Sequence, residues 1–390
     1  MKLINNDIML KTFQIDDSIS GISLDSRKKA DLFFCIQGNH YDGHDFAQNA
    51  IYNGFKYIVA SKPVNIPNDH VIYVNNVEEY MIKLTKNVRN QLNSTVIAIT
   101  GTAGKTSTKE QMKFAFSERK VLASPESYNT IYGLALTICN IQNIPDYLIL
   151  EAGTSHPGEM EELARIIKPH YSIITSIGAG HIEHFRDIEH IAEEKSQLLQ
   201  YTSKYAFFPE ICEKYCPANL SNQISQQNDD IYEQNAFPIM KIAKMENLIN
   251  ASNNIKNYSP SKGRNNIVKL NKDNINFSMI DGSFNCNPIS LQASIKQLMK
   301  FPGKKIAVLG EMKELGDYAE QYHHADYDVD HLLLLGDIWK TSKGKIFNYY
   351  EELCKYLEGI MEEGAVILLK GSNSTDVKLI SKYLEDHYGI

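Results

Sequence analysis

Val96-Ile-Ala-Ile-Thr-Gly101-Thr-Ala-Gly104-Lys105-Thr106-Ser107 decides the fold of this chain. Val96–Thr100 is an apolar run of strand length, Gly101 and Gly104 bracket a turn of small residues, and Lys105-Thr106 opens a helical pattern over Thr106–Phe116. Small residues let the backbone N–H groups of residues 101 to 106 curl around phosphate oxygens, and a helix N-terminus adds partial positive charge. Lys105 suits the charge of β- and γ-phosphates, and the Thr106 hydroxyl suits Mg2+. The match is partial, because position 99 is Ile where the general phosphate loop has Gly. An ordinary strand–turn–helix with a solvated lysine would look similar, but the strand before and the helix after favour a nucleotide site built from Gly101, Thr102, Ala103, Gly104, Lys105, Thr106 and Ser107.

Outward from this loop the pattern repeats. Tyr147–Leu150 and Ser172–Ile177 read as strands, and Glu159–Ile167 and Ile188–Gln200 as helices, the rhythm of a parallel sheet with crossover helices. Pro217 to about Asp230 reads as an exposed loop, followed by a helix from about Gln234 to Ala251. Upstream, Asp31–Ile36, Tyr57–Ala60 and Val71–Val74 are short strands. Helices are expected over Asp45–Asn53, stopped by Gly54, and from Val77 to about Leu92. Downstream, the alternation resumes: strands Ile275–Ile280, Lys305–Leu309, Leu332–Leu335 and Val366–Leu369, with helices Ile289–Met299, Tyr349–Met361 and Asp376–Tyr388. The expected architecture is α/β in three domains: a small mixed α/β domain over 1–92, a central parallel-sheet P-loop ATPase domain over 93–265, and a C-terminal Rossmann-like domain over 266–390.

Composition narrows the classes. A chain of 390 residues is too long for one ordinary core, and a net charge of -7 offers no basic excess for nucleic acid. The N-terminus carries no apolar stretch of signal-peptide length, and no run of spanning length occurs, so no membrane association is expected. The six cysteines are scattered, and only Cys212 and Cys216 are close, without further ligands at zinc spacing. Free thiols and a reducing cytoplasm fit this pattern.

Ligands of parallel α/β sheets bind beyond the carboxyl ends of the strands. Glu151 follows one strand and introduces Ala-Gly-Thr-Ser-His156-Pro157-Gly158; Gly178-Ala-Gly180-His181 follows another. A carboxylate is a natural Mg2+ ligand, whereas an isolated His is as well explained as a structural residue. Lys195, in Ala192-Glu-Glu-Lys-Ser196, reads from its neighbours alone as a solvated lysine.

These segments, in this order, resemble the Mur ligase family, and most of all its D-alanyl-D-alanine-adding branch. Asp25-Ser26-Arg27, Asp31-Leu-Phe-Phe and Asp42-Gly43-His44-Asp45-Phe46 are similar to the family's UDP-sugar domain. Thr100–Thr106 resembles its ATP loop, and Asn129-Thr130 with Gly133 a segment lining the acceptor site. Glu151–Glu159 and Ser176–Glu183 are the most specific matches. Asn235-Ala236, Lys262-Gly263-Arg264, Asp281–Pro288, Gly310–Gly316 with His323, and Lys370-Gly-Ser372 complete the series.

The resemblance implies an ATP-dependent acid–amine ligase working through an acyl phosphate, with ATP and Mg2+ as cofactors. It implies Thr106, Glu151, His181 and Lys195 as metal ligands, Lys195 as a carbamate, and these last three with Lys105 as catalytic residues. Asn235, Arg264 and Asp281 would join the loop at ATP, and Ser26, Arg27, Asn129, Thr130, His156 and Lys370 would contact substrates. The implied partners are a UDP-sugar peptide and an amino acid or dipeptide, used by a cytoplasmic monomer in peptidoglycan precursor synthesis. The chain departs from the pattern in lacking a leading helix, in its abbreviated segment from about Phe208 to Tyr232, and in Tyr232, Phe284 and Asn373, where His, Tyr and Arg are usual. A relative using another acceptor or amine is therefore one alternative. A folylpolyglutamate-synthetase-like ligase is a second, although that family lacks the UDP-binding domain, and an inactive nucleotide-binding scaffold is a third.

Overall fold

The computed structural model describes residues 19–225, 231–341 and 343–390. The expected loop at Pro217–Asp230 lies partly outside these residues, as do the side chain of Tyr232 and the segment before Ile19. Three sheets carry the chain. The first is wholly parallel, ordered β1 (Ile22–Ser23), β2 (Leu32–Phe34), β3 (Tyr57–Ala60), β4 (Val71–Tyr73). Its strands are two to four residues long, and all but one of the residues of β2 and β3 are buried. Asn76 caps the helix Val77–Asn90 by accepting from the N–H groups of Glu78 and Glu79.

The middle sheet contains β5 (Thr95–Thr100), β6 (Val121–Ala123), β7 (Tyr147–Glu151), β8 (Tyr171–Ile174), β9 (Tyr205–Phe208) and β10 (Ser221–Ile224), in the order β10-β9-β8-β5-β7-β6. β10 corrects the expectation of a loop: its polar Ser-Asn-Gln-Ile sequence carries no apolar signal, but it pairs in parallel with β9 from Ser221 opposite Tyr205. β8 ends at Ile174, and Thr175–Ile177 instead continue into the loop beyond it.

The last sheet follows the order β11 (Asn266–Lys272), β12 (Ile275–Gly282), β16 (Val366–Lys370), β13 (Lys305–Gly310), β14 (His331–Leu335), β15 (Lys345–Phe347). All its pairings are parallel except β11 with β12, a tight hairpin turning at Asp273 and Asn274, both with positive φ. Asp and Asn tolerate the left-handed region better than most residues. One core packs Leu291, Leu298, Leu309 and Leu368 on one face of this sheet; another packs Met279, Val308, Leu353 and Leu384.

The chain forms two compact units. One draws on residues up to Ala98 with Arg119–Thr154 and Met160–His170, the other on Ile99–Glu118, Ser155–Glu159 and everything from Tyr171 onward. The six cysteines are free thiols, all buried except Cys216, which is partly exposed. Among the described residues, no helix is long and apolar enough to cross a membrane.

Candidate functional site

In the second unit, Gly101 and Gly104 have φ of +139° and +88°, a region that disfavours side chains. Gly101 also has no room for one: a Cβ there would lie 2.1 Å from the Thr175 hydroxyl. Gly104 caps the helix Lys105–Ala115, so the turn delivers the helix N-terminus directly after the strand. The loop is laced to the segment that follows β8. Thr102 N donates to Ser176 O at 2.8 Å, Ala103 N to Ser176 Oγ at 3.0 Å, and Thr175 Oγ1 donates to Ala103 O. Two of the N–H groups expected to face phosphate, those of Thr102 and Ala103, are thus used to hold the loop in shape. Lys105 bends back over the turn, its Nζ donating to Gly101 O at 2.8 Å.

Two further groups of this unit, His181 and Lys195, lie near Lys105. His181 has φ +56° and is half-buried, and its Nδ1 lies 3.0 Å from Glu314 Oε2 and 3.5 Å from Ser155 Oγ. Burial first, then the charges of Lys105 and Lys195, push its pKa down to about 4, so the ring is neutral at pH 7. Lys195, on the helix Ile188–Ser196, is 2% exposed. Burial, reinforced by Lys105, lowers its pKa to about 7 against the opposing pull of Glu194 and Glu159.

Those two carboxylates also build the neighbouring turn. Glu159 Oε2 accepts from Ser155 N at 2.7 Å and His156 N at 3.1 Å, and Glu194 Oε2 accepts from Gly158 N at 2.8 Å. His156 stacks on His184 with ring centroids 4.1 Å apart. Neither glutamate stands out in the sequence, since each sits among other charged residues.

The C-terminal sheet reaches the same loop. Asn287 caps the helix Pro288–Met299 in a capping box with Ser290, and its Nδ2 lies 3.4 Å from Thr102 O. Asn235 is buried, and its Oδ1 would be 3.4 Å from a Cβ on Gly104. Asp281 is fully buried and accepts two backbone donors, Gly263 N and Ser283 N, both at 3.1 Å. It thereby ties the Lys262-Gly263-Arg264 turn to the end of β12. The Arg264 guanidinium lies over the ring of Phe284 at 3.9 Å. Lys370 is buried, and its Nζ donates to Asn285 O at 2.8 Å and Gly282 O at 3.4 Å.

In the first unit, Glu151 is 1% exposed at the end of β7 and accepts from Asn129 Nδ2 at 3.3 Å. Asn129 O in turn accepts from Gly153 N at 2.8 Å, and Thr130 caps the helix Ile131–Cys139. Ser26 is buried, while the Arg27 side chain is exposed and paired with Asp25 at 2.9 Å. That pairing lowers the Asp25 carboxyl to about 2.

Of the expected site residues, the phosphate loop, His156, His181, Lys195, Asn235, Arg264, Asp281 and Lys370 belong to the second unit. Ser26, Arg27, Asn129, Thr130 and Glu151 belong to the first. Among the described residues, no three His, Cys, Asp or Glu side chains form a metal cage.

Residues 99–287 match the Mur ligase middle domain, and residues 18–96 match the Mur ligase family catalytic domain. The chain is 28% identical over 423 residues to the UDP-N-acetylmuramoyl-tripeptide--D-alanyl-D-alanine ligase of Rickettsia prowazekii, covering 92% of this chain and 93% of that one. Among solved structures, it resembles a MurF ligase from Thermotoga maritima in complex with ADP, with a TM-score of 0.85, 24% identity, and coverage of 94% of this chain and 97% of the other. MurF from Acinetobacter baumannii superposes with a TM-score of 0.86 at 22% identity, covering 97% and 98% of the two chains.

Proposed function

We infer the reaction from one premise: the chain belongs to the Mur ligase family. It is an ATP-dependent ligase that forms a peptide bond, adding D-alanyl-D-alanine to a UDP-N-acetylmuramoyl-tripeptide in peptidoglycan precursor synthesis. The observation that carries this reading is the convergence of Lys105, His181 and buried Lys195 at the phosphate loop, in a chain that matches such ligases almost end to end. The match of residues 18–96 to the family's own domain also favours it over a folylpolyglutamate-type enzyme.

In the first step, a carboxylate oxygen of the tripeptide attacks the γ-phosphorus of ATP. The bond to the β-phosphate oxygen breaks, leaving an acyl phosphate and ADP. The dipeptide amine then attacks the acyl carbon; phosphate leaves with the electron pair of the broken C–O bond, and the amine loses a proton. Phosphoryl transfer depends on positioning and charge neutralisation. Lys105 and the N-terminus of the helix Lys105–Ala115 supply both at the β- and γ-phosphates.

Thr106, Glu151, His181 and Lys195 would hold Mg2+, which neutralises charge between two approaching anions when bound. The lowered pKa values of His181 and Lys195 fit that assignment, because the imidazole keeps a lone pair and a large share of Lys195 is neutral amine near pH 7. A neutral lysine amine is also the form that combines with CO2 to give a carbamate. Glu159 and Glu194 shape the 155–158 turn beside His181 and so act through the backbone.

Substrate roles divide along the chain: the UDP-sugar at residues 1–92 with Ser26 and Arg27, the nucleotide at 93–265, and the amine at 266–390. Asn129 and Thr130 meet the acceptor peptide. The enzyme works as a monomer in the cytoplasm, where ATP and UDP-linked precursors are found.

Phosphate release from Mg·ATP tests the assignment, with UDP-N-acetylmuramoyl-tripeptide and D-alanyl-D-alanine supplied singly and together. Release only with both, abolished by Lys105→Ala, is expected. Turnover with a different amine or acceptor would keep the ligase chemistry and discard these substrates.

A further inference from the structure

β13 and β16 are neighbouring parallel strands of the last sheet, and the segments that follow them leave toward opposite faces. Met312, Leu315 and Ala325 follow β13 into the core of Leu291 and Leu298, whereas Val377 and Ile380 follow β16 into that of Leu353 and Leu384. Strands whose continuations part in this way open a crevice at their carboxyl ends, and α/β sheets take their ligands there. Its two sides are stitched together: Lys313 N donates to Ser372 Oγ at 3.0 Å, and Ser372 N donates to Glu311 O at 3.1 Å. Further along the same loop, a Cβ on Gly316 would come within 2.7 Å of Glu183 Cβ. The loop thus runs from the crevice to the turn that carries His181.

One side chain fixes the start of that loop from behind. The N–H of buried Met312 donates to His323 Nε2 at 2.8 Å, and Nδ1 of the same ring lies 2.6 Å from Ala319 O. An amide N–H can only donate and a carbonyl can only accept, so both bonds form only when the ring is neutral with its proton on Nδ1. Burial lowers the pKa of His323, which favours that form. Trp339 packs against the ring in a T-shaped contact with centroids 4.7 Å apart, and Lys340 N donates to His323 O at 2.9 Å. The two ring bonds differ in consequence. Ala319 O also accepts from His323 N at 3.1 Å, whereas Nε2 is the acceptor that satisfies Met312 N in the core.

We propose that His323 is a positioning residue for the amine substrate, holding residues 311–313 at the mouth of the β13–β16 crevice through the Met312 amide. His323 is 0% exposed, so it acts through the backbone of the loop and touches no substrate itself. This proposal rests on the ligase reading for the identity of the amine, a small zwitterion, and not for how the loop is held.

Replacing His323 by Gln and by Asn in the full chain tests it. A Gln amide oxygen can stand where Nε2 stands and accept from Met312 N; the shorter Asn reaches only the place of Nδ1 and leaves that N–H without an acceptor. In the Mg·ATP-dependent reaction, His323→Asn should raise the KM for D-alanyl-D-alanine about tenfold, with kcat and the KM values for ATP and the UDP-linked tripeptide within about twofold of the parent. His323→Gln should stay within about threefold of the parent on every constant. Backbone hydrogen exchange, read on a peptide spanning residues 311–316, should quicken in the Asn variant and match the parent in the Gln variant. A Gln variant as impaired as the Asn variant would overturn the proposal. So would an unchanged KM for the dipeptide in His323→Asn, or a rise shared equally by all the substrates, as a general loss of structure would give. Failure of the ligase reading looks different: no turnover in the parent, with hydrogen exchange still separating the two variants.

Discussion

Lys195 and Lys370 are both buried, and burial depresses the pKa of both, but they sit on different elements with different neighbours. Lys370 donates to the carbonyls of Gly282 and Asn285, and so holds the 282–287 turn on the last strand of its sheet. Lys195 faces the charge of Lys105, which adds to the cost of its own. Each also feels charges of both signs, Arg264 against Asp281 at Lys370 and Lys105 against Glu194 and Glu159 at Lys195, so the difference offered for test is what each ammonium does. Lys370 is held by those hydrogen bonds, whereas the depressed pKa of Lys195 suits a reactive amine.

Replacing each lysine by Met should therefore separate activity from stability. Lys195→Met is expected to reduce turnover at least about a hundredfold while the melting temperature holds or rises. The sign of the pH effect follows from its depressed pKa. Protonation favours the unfolded chain, so the penalty of Lys195 is fully present below about pH 7 and fades as pH rises toward the ordinary lysine value of 10.5. The stability gained by Lys195→Met over the parent should thus be larger at pH 7 than at pH 9.5 in urea titrations. A lower melting temperature at pH 7 would break the comparison.

Lys370→Met should do the reverse, costing about 1–3 kcal/mol of stability by orphaning two carbonyls, with a smaller loss of turnover at permissive temperature. Smaller again is Asp281→Asn, which keeps one acceptor oxygen for two backbone donors. It should cost about 1 kcal/mol and speed proteolytic cleavage near Lys262. Phe284→Tyr should change the KM for ATP less than twofold, because the ring still stacks on Arg264.

Sequence reading succeeded where local physics was strong enough to stand alone. The strand Thr95–Thr100, its glycine turn and the following helix appear as read, because the apolar run, the glycines and the helix start all agree. It failed where the signal was short or one-sided. Val121–Ala123 is a three-residue strand, and the helix Ile131–Cys139 is apolar nearly all round, so neither shows a period. Ser221–Ile224 is a strand only because β9 offers it a partner.

At the site, the types of residue were legible and their environments were not. Lys195 reads as solvated in its charged neighbourhood, yet it is buried, because burial depends on what packs over the helix from distant segments. Lys370, expected at a substrate, also donates to two backbone carbonyls, a partnership that no local pattern announces. No local pattern could have announced that Ser176, Glu159 and Glu194 hold the loops in place, since each acts on a backbone group far from it in sequence or hidden in a turn.

The distribution of thiols has a practical consequence. Five of the six thiols are buried, and only Cys216 is partly reachable. Burial raises the pKa of Cys35, Cys139 and Cys354 to about 12 and that of Cys212 and Cys286 to about 11, which suppresses the reactive thiolate. A thiol reagent should thus take one equivalent from the native protein and five more only as the sheets open. Cys35 lies beside the first sheet, Cys139 and Cys212 in the middle of the chain, and Cys286 and Cys354 around the last sheet. The order in which they become labelled would give a residue-by-residue record of unfolding, with no probe to be engineered in.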